Sequence, residues 1–335
     1  MHNKDGFYKW ELVALLWVAF FLNHGNRQIY NVVIPLIKVD IGLSNVKLGM
    51  VATLFSLVYG IMVAVGGYVG DILRRKWVIF FSVLIFSLST LLTGLSKGLL
   101  MLILFRSIAT GGGEAFHPPA ANSLLGQFHH KTRAMALSIH QTALYAGIVI
   151  SGYLAGFIGE NFGWRNTFYA FGFIGILWSV VLDIRMKDIQ VSNVLFTSGQ
   201  RISMASLIGH IFKKRTVWML CIAFGFMLFV NIGYLTWMPT YLHENFSLSL
   251  SRAGFASMFY HHLFALFGVL IGGRLSDKWA TKQKSARFII EYAGLVLAAP
   301  FIFLMGATSD LIICYIALGF FGFFRGVYDS NLFAA

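Results

Sequence analysis

Apolar residues run in long, nearly unbroken stretches along this chain, and polar ones collect in the short breaks between them. A bilayer core takes roughly 20 apolar residues per helix. Stretches of that length lie near 11–36, 47–70, 77–95, 98–126, 134–159, 164–183, 216–241, 252–273, 288–306 and 310–331. Tight connections such as Ser96-Lys97-Gly98 make consecutive spans antiparallel neighbours, so the pattern predicts an all-α, polytopic transmembrane bundle. The longest polar break, 184–215, holds Met204, Leu207, Ile208, Ile211 and Phe212 at helical spacing ahead of Lys213, Lys214 and Arg215, which predicts an interfacial helix. The expected organisation is a six-helix bundle at 1–184, a cytoplasmic linker at 185–215 and a four-helix bundle at 216–335.

Composition removes the soluble alternatives, since 58% of the residues are hydrophobic and only 12% are charged. A net charge of +13 would point to nucleic acid in a soluble protein, but here the basic residues sort into alternate loops. Eighteen of the 26 fall on one side, among them Lys4, Lys9, Arg74, Arg75, Lys76, Lys131, Arg133, Arg185 and Lys187 in the first half and Lys213, Lys214, Arg215, Arg274 and Lys278 in the second. Five (Lys38, Lys47, Lys97, Arg165, Arg252) fall on the other, and Arg27, Arg106 and Arg325 lie inside spans. That asymmetry predicts a multi-pass protein of the cytoplasmic membrane with its N-terminus inside. The first stretch is too long for a secretory h-region and carries Asn23, His24, Asn26 and Arg27, so it reads as a retained helix. Cys221 and Cys314 stand in different spans without partner spacing, and no disulfide or metal site is expected. No phosphate-binding glycine loop or nucleophile elbow appears, so neither an enzyme nor a cofactor is expected.

One motif occurs twice. Gly67 and Asp71, followed by Arg74, Arg75 and Lys76, close the second span; Gly273 and Asp277, followed by Lys278 and Lys282, close the eighth. This turn, recurring six spans apart, resembles the signature of the major facilitator superfamily, in which Arg74 replaces the usual second glycine. Asn26-Arg27, Arg106 with Gly111, Glu114, Ala115 and Pro118, Gly163-Trp164-Arg165 and Trp237-Met238-Pro239-Thr240-Tyr241-Leu242 are most similar to the anion:cation symporters. Asn26 replaces the usual acid, and Glu114 stands one residue off in its spacing from Arg106. The resemblance implies a twelve-helix fold of which about ten helices are present, so the chain is expected to lack two helices at its C-terminal end, leaving the seventh or tenth unusually exposed. It also implies alternating access, with Gly67, Asp71, Arg75, Lys76, Gly273, Asp277 and Lys278 as conformational residues.

Charged side chains inside a span cost about 2.5–3.5 kcal/mol each on insertion scales, which makes them functional candidates. Asn23 and Arg27 lie near the middle of the first span, one turn apart. In the fourth, Arg106, Thr110 and His117 share a helical stripe, and Glu114 follows three glycines and precedes Pro118-Pro119, where a kink is expected. Two guanidinium groups against one carboxylate leave positive charge that an acidic solute would balance. The expected substrate is therefore a small organic anion bearing a carboxylate or phosphate, which the resemblance implies to be a sugar acid or similar carboxylate, meeting Arg27, Arg106, Asn23, His140, Gln141, Tyr145, Asn231, Tyr234, Trp237 and His261. The same arginines could instead pair with Glu114 to hold helices together. Glu114, with His117, is the expected proton-coupling site; His140, His261 and His262 are alternatives. Arg325 and Asp329, spaced i, i+4, read as a structural or gating pair, and Gly152-x-x-x-Gly156 as a place of close helix approach.

The leading expectation is a proton-coupled symporter acting as a monomer in the lipid bilayer, without nucleic acid. A drug or other-solute:proton antiporter is the alternative, although the fifth span lacks the Gly-Pro element expected of one. A non-transporting membrane sensor is more remote.

Overall fold

The computed structural model describes residues 2–129, 132–187, 215–281, 283 and 286–330. Among these no strand occurs, and ten long helical segments coincide with the ten apolar stretches. They are α1 (His2–Ile41), α2 (Asn45–Ile72), α3 (Arg75–Thr93), a composite α4, α5 (Arg133–Phe162), α6 (Trp164–Arg185), α7 (Arg215–Phe246), α8 (Leu250–Ala280), α9 (Ala286–Ala307) and α10 (Leu311–Asp329). Among the described residues, eight helices are long and apolar enough to cross a membrane. In α1 the polar run from Asn23 to Asn31 dilutes the apolar stretch. The interfacial helix expected over Met204–Phe212 lies outside the described residues.

Ends are set by local chemistry. Ser44 caps α2 through Lys47 N, Ser249 caps α8 through Arg252 N, and Asp310 caps α10 through the amides of Ile312 and Ile313. Gly42 and Gly163 take positive φ (71° and 88°) just beyond α1 and α5, where a side chain would be strained.

The described chain packs as two units. The first comprises Met1–Asn23, Lys38–Ala143 and Phe168–Trp237; the second comprises His24–Ile37, Leu144–Thr167 and Met238–Ala335, so the boundary passes through α1, α5 and α7. The core of the first is built on Leu12, Leu16, Ile79, Phe86, Leu125 and Leu182, all fully buried. Polar ties close one end of it. Lys76 Nζ lies 3.2 Å from the Asp183 carboxylate and donates to the Asp183 carbonyl at 2.7 Å, while Arg185 Nε donates to Glu11 at 2.7 Å. In the same unit, α7 leaves Met219, Phe226 and Phe229 largely exposed.

The second unit is held by backbone approach. A Cβ added to Gly152 would stand 2.7 Å from the Gly254 carbonyl oxygen, and one on Gly156 would fall within the backbone of Leu250 and Ser251. Beyond them Glu160 accepts from Leu250 N (2.6 Å) and from Ser251 Oγ (3.0 Å), supplying an acidic cap to the start of α8. The Gly-x-x-x-Gly pattern thus does seat two helices against each other.

Candidate functional site

The fourth span is where the helix departs from regular winding. It runs α-helical over Leu99–Leu102, π-helical over Ile103–Thr110 and α-helical over Gly111–Glu114, then breaks at Ala115–Phe116 and restarts as His117–Phe128 with proline in its first turn. The break sits just upstream of Pro118-Pro119, where a kink was expected. Its cause is a missing donor: Pro118 has no N–H for the carbonyl of Glu114, four residues back. Asn23 Nδ2 donates to that carbonyl at 3.2 Å, and Ser82 Oγ donates to the neighbouring Gly113 carbonyl at 2.6 Å. Glycine at 111 and 113 admits this closeness, because a Cβ would meet the Phe55 carbonyl at 3.1 Å and the Phe86 amide at 3.0 Å.

The π-helical stretch centres on Arg106. Its guanidinium carbon lies 4.3 Å from the centroid of the Phe55 ring, a cation–π contact in a setting only 4% exposed. Ser107 Oγ donates to the Val51 carbonyl at 2.7 Å, pinning the wide turn to α2. A π turn takes up one residue more than an α turn, and wide turns of this kind gather at functional sites. One residue is also the offset between Arg106 and Glu114 that sets this sequence apart from the pattern it resembles.

Glu114 is fully buried, as is His117, whose ring nitrogens find no hydrogen-bond partner among the described residues. Phe20 stacks on both histidines of this region, with centroids 5.9 Å from His117 and 4.5 Å from His140, and the two imidazoles stand 6.2 Å apart. Asn23, Arg106, Glu114, His117 and His140 are therefore gathered in the first unit around α4. Gln141 is exposed; Tyr234 is buried, and Trp237 lies against Gly49. Asn231 is half-buried on α7.

Arg27, Tyr145 and His261 belong to the second unit. There Arg325 Nη1 donates to His261 Nε2 at 2.9 Å, and Arg325 Nε stands 3.6 Å from Asp329 Oδ2. Tyr145 meets His262 edge-on at 5.7 Å. Of the conformational residues, Lys76 makes the Asp183 contacts above, Arg75 opens α3 and Lys278 is exposed in the last turn of α8. Gly67 and Gly273 have open space where a Cβ would stand, and the side chains of Asp71 and Asp277 lie outside the described residues. Sequence reading did not find Phe55, Ser82, Ser107 or Phe20.

A sequence profile described as Major Facilitator Superfamily matches residues 16–335. This chain belongs to the Major Facilitator Superfamily. It is a multi-pass membrane transporter rather than an enzyme. Among curated relatives within the superfamily, it is 25% identical over 286 residues to the hexuronate transporter of Bacillus subtilis, covering 83% of this chain and 66% of that one. To the probable galactarate/D-glucarate transporter of the same organism it is 27% identical, over 94% of this chain and 75% of that one. To the probable sulfoacetate transporter of Cupriavidus necator it is 26% identical, over 96% and 78%. The fold is shared with a bacterial homologue of the human lysosomal transporter Spinster, solved inward-facing and unoccupied, with a TM-score of 0.82 at 24% identity over 97% of this chain and 74% of that one.

Proposed function

We propose that this superfamily member moves a small organic anion, a sugar acid or similar carboxylate, across the cytoplasmic membrane by proton-coupled symport. Residues 1–184 and 216–335 form its two alternating halves, and its N-terminus is cytoplasmic. The observation that carries the reading is Arg106, a guanidinium 4% exposed on a π-helical turn of a membrane-spanning segment that also holds the fully buried Glu114. Holding a cation there is costly unless an anion meets it. Relatives named for hexuronate, galactarate/D-glucarate and sulfoacetate support the same substrate class.

In this reading Arg106 and Arg27 meet the acidic group. Asn23, His140, Gln141, Asn231, Tyr234, Trp237, Tyr145 and His261 serve the body of the solute, and Glu114 with His117 carries the proton. Gly67, Asp71, Arg75, Lys76, Gly273, Asp277 and Lys278 serve the conformational change. The protein acts as a monomer. Uptake of labelled D-glucarate and galacturonate by proteoliposomes tests it. Saturable uptake that is abolished in Arg106→Gln and in Arg27→Gln, and accumulation that no longer follows a proton gradient in Glu114→Gln, are the expected results. Parental uptake in both arginine variants would remove the anion site.

A further inference from the structure

The second unit holds an ion pair, Arg325 with Asp329, that the proposed function does not use. Arg325 lies about 21 Å along α10 from its first residue, between a neutral acceptor and an acid: His261 Nε2 at 2.9 Å on α8 and Asp329 Oδ2 at 3.6 Å one turn further along α10. His261 is fully buried, and the side chains of Arg325 and Asp329 are 18% and 32% exposed.

Holding helices together is the bland role for such a pair, and here it is already filled. A Cβ on Gly322 would fall within the backbone of His261, one on Gly326 within that of Ala265, and one on Gly268 within that of Phe323. With backbone against backbone along three glycines, α8 and α10 are locked without help from charge, and a buried ion pair adds little to stability beyond an apolar replacement. The pair is also loose. At 3.6 Å the carboxylate stands well outside the roughly 2.7–2.9 Å of a charge-assisted hydrogen bond, whereas Arg325 Nη1 meets the imidazole of His261 at 2.9 Å.

We propose that Arg325 is a carboxylate-binding subsite for the transported anion, and that Asp329 is its internal stand-in, displaced and protonated when the solute carboxylate arrives. This rests on the organic-anion reading and adds to it a second coupling acid. The balance is simple: one solute carboxylate joins Arg325, one proton taken up from the bulk solution neutralises Asp329, and the charge of the cluster is unchanged. Groups facing Asp329 are Arg325 and Tyr328 on its own helix and Tyr145 on α5; His261 and His262 on α8 face Arg325, and Glu291 on α9 faces Tyr328. Tyr145, 41% exposed, is placed to offer its hydroxyl to the same solute.

The test is binding of labelled D-glucarate to the purified chain as a function of pH, with yield and monodispersity recorded for each variant. Arg325→Gln should weaken binding roughly 10- to 100-fold, the worth of hydrogen bonds to a charged group. Asp329→Asn, freed of the competitor, should bind more tightly at neutral pH, and the wild-type gain of up to about tenfold per unit fall in pH should flatten. The charge-neutral pair Arg325→Gln with Asp329→Asn separates the two roles. A structural ion pair predicts recovery of binding in this double variant, and recovery would overturn the proposal; continued loss supports it. A pH slope kept in Asp329→Asn but lost in Glu114→Gln would also overturn it by assigning the proton to α4. Failure of the unsubstituted chain to bind any labelled sugar acid would overturn the anion reading and this inference with it, an outcome distinct from either of the others.

Discussion

Replacing Gly156 by alanine adds one methyl where α5 and α8 touch backbone to backbone. The added carbon falls within the backbone of Leu250 and Ser251, so the helices must part before it fits. Overpacking of this kind costs about 1–3 kcal/mol, and the gain in helix propensity from glycine to alanine returns about 1 kcal/mol only to α5 itself. Closed contact should therefore lose population by a factor of about 5–150. Hydrogen exchange at the first amides of α8 reads this directly, because Leu250 N is held by Glu160 only while the helices meet. Gly60→Ala on α2 is the control: nothing lies within 4 Å of a Cβ there, so it gains propensity without a clash. Faster exchange over residues 250–254 in Gly156→Ala alone is the expected outcome. Exchange within twofold of the parent in both variants would refute the close approach. Under alternating access this contact joins helices from the two sequence halves, so the same variant should also change the rate of transport.

Asn23→Ala and Pro118→Ala should be coupled by about 1 kcal/mol in a double-variant cycle read by thermal unfolding, because alanine at 118 returns the amide that the Glu114 carbonyl lacks and makes the Asn23 bond redundant. Additive effects would mean that the proline does not strand that carbonyl. Lys76→Ala should cost about 0.5–1.5 kcal/mol of stability, since its ammonium meets both the carboxylate and the carbonyl of Asp183; an unchanged melting temperature would show that contact to be idle. Ser107→Ala should loosen the π-helical turn from α2 and lower the apparent anion affinity several-fold in the uptake assay while membrane insertion stays at the parental level; unchanged affinity would separate the turn from binding.

The helices themselves were legible because lipid demands continuous apolar length, and ten stretches read from hydropathy are ten helices among the described residues. Gly152 and Gly156 also told their role in advance, since two small residues one turn apart have few other uses in a span. What could not be read is whatever depends on a partner far away in the chain. Glu160 gave no sign of capping α8, because its partners Leu250 and Ser251 are 90 residues on. The π winding around Arg106 was hidden for a different reason. Spacing arguments assume 3.6 residues per turn, so the stripe of Arg106, Thr110 and His117 was drawn on a helix that in fact unwinds and then breaks. Which arginine meets which acid stayed open for the same cause: the sequence ranks intramembrane charges by cost and leaves their pairing to the packing.

That wide turn has a consequence for how such a chain can change over time. In a regular helix each added residue rotates everything beyond it by about 100°, which would carry the Gly113 carbonyl away from Ser82 and the Glu114 carbonyl away from Asn23. A π turn stores one surplus residue as local slack, so Ser107 keeps its hold on Val51 upstream while Ser82 and Asn23 keep theirs downstream. Length along the chain and position in space are thereby uncoupled between the cation and the acid, and a single-residue insertion there can be absorbed in phase without rebuilding the bundle around it.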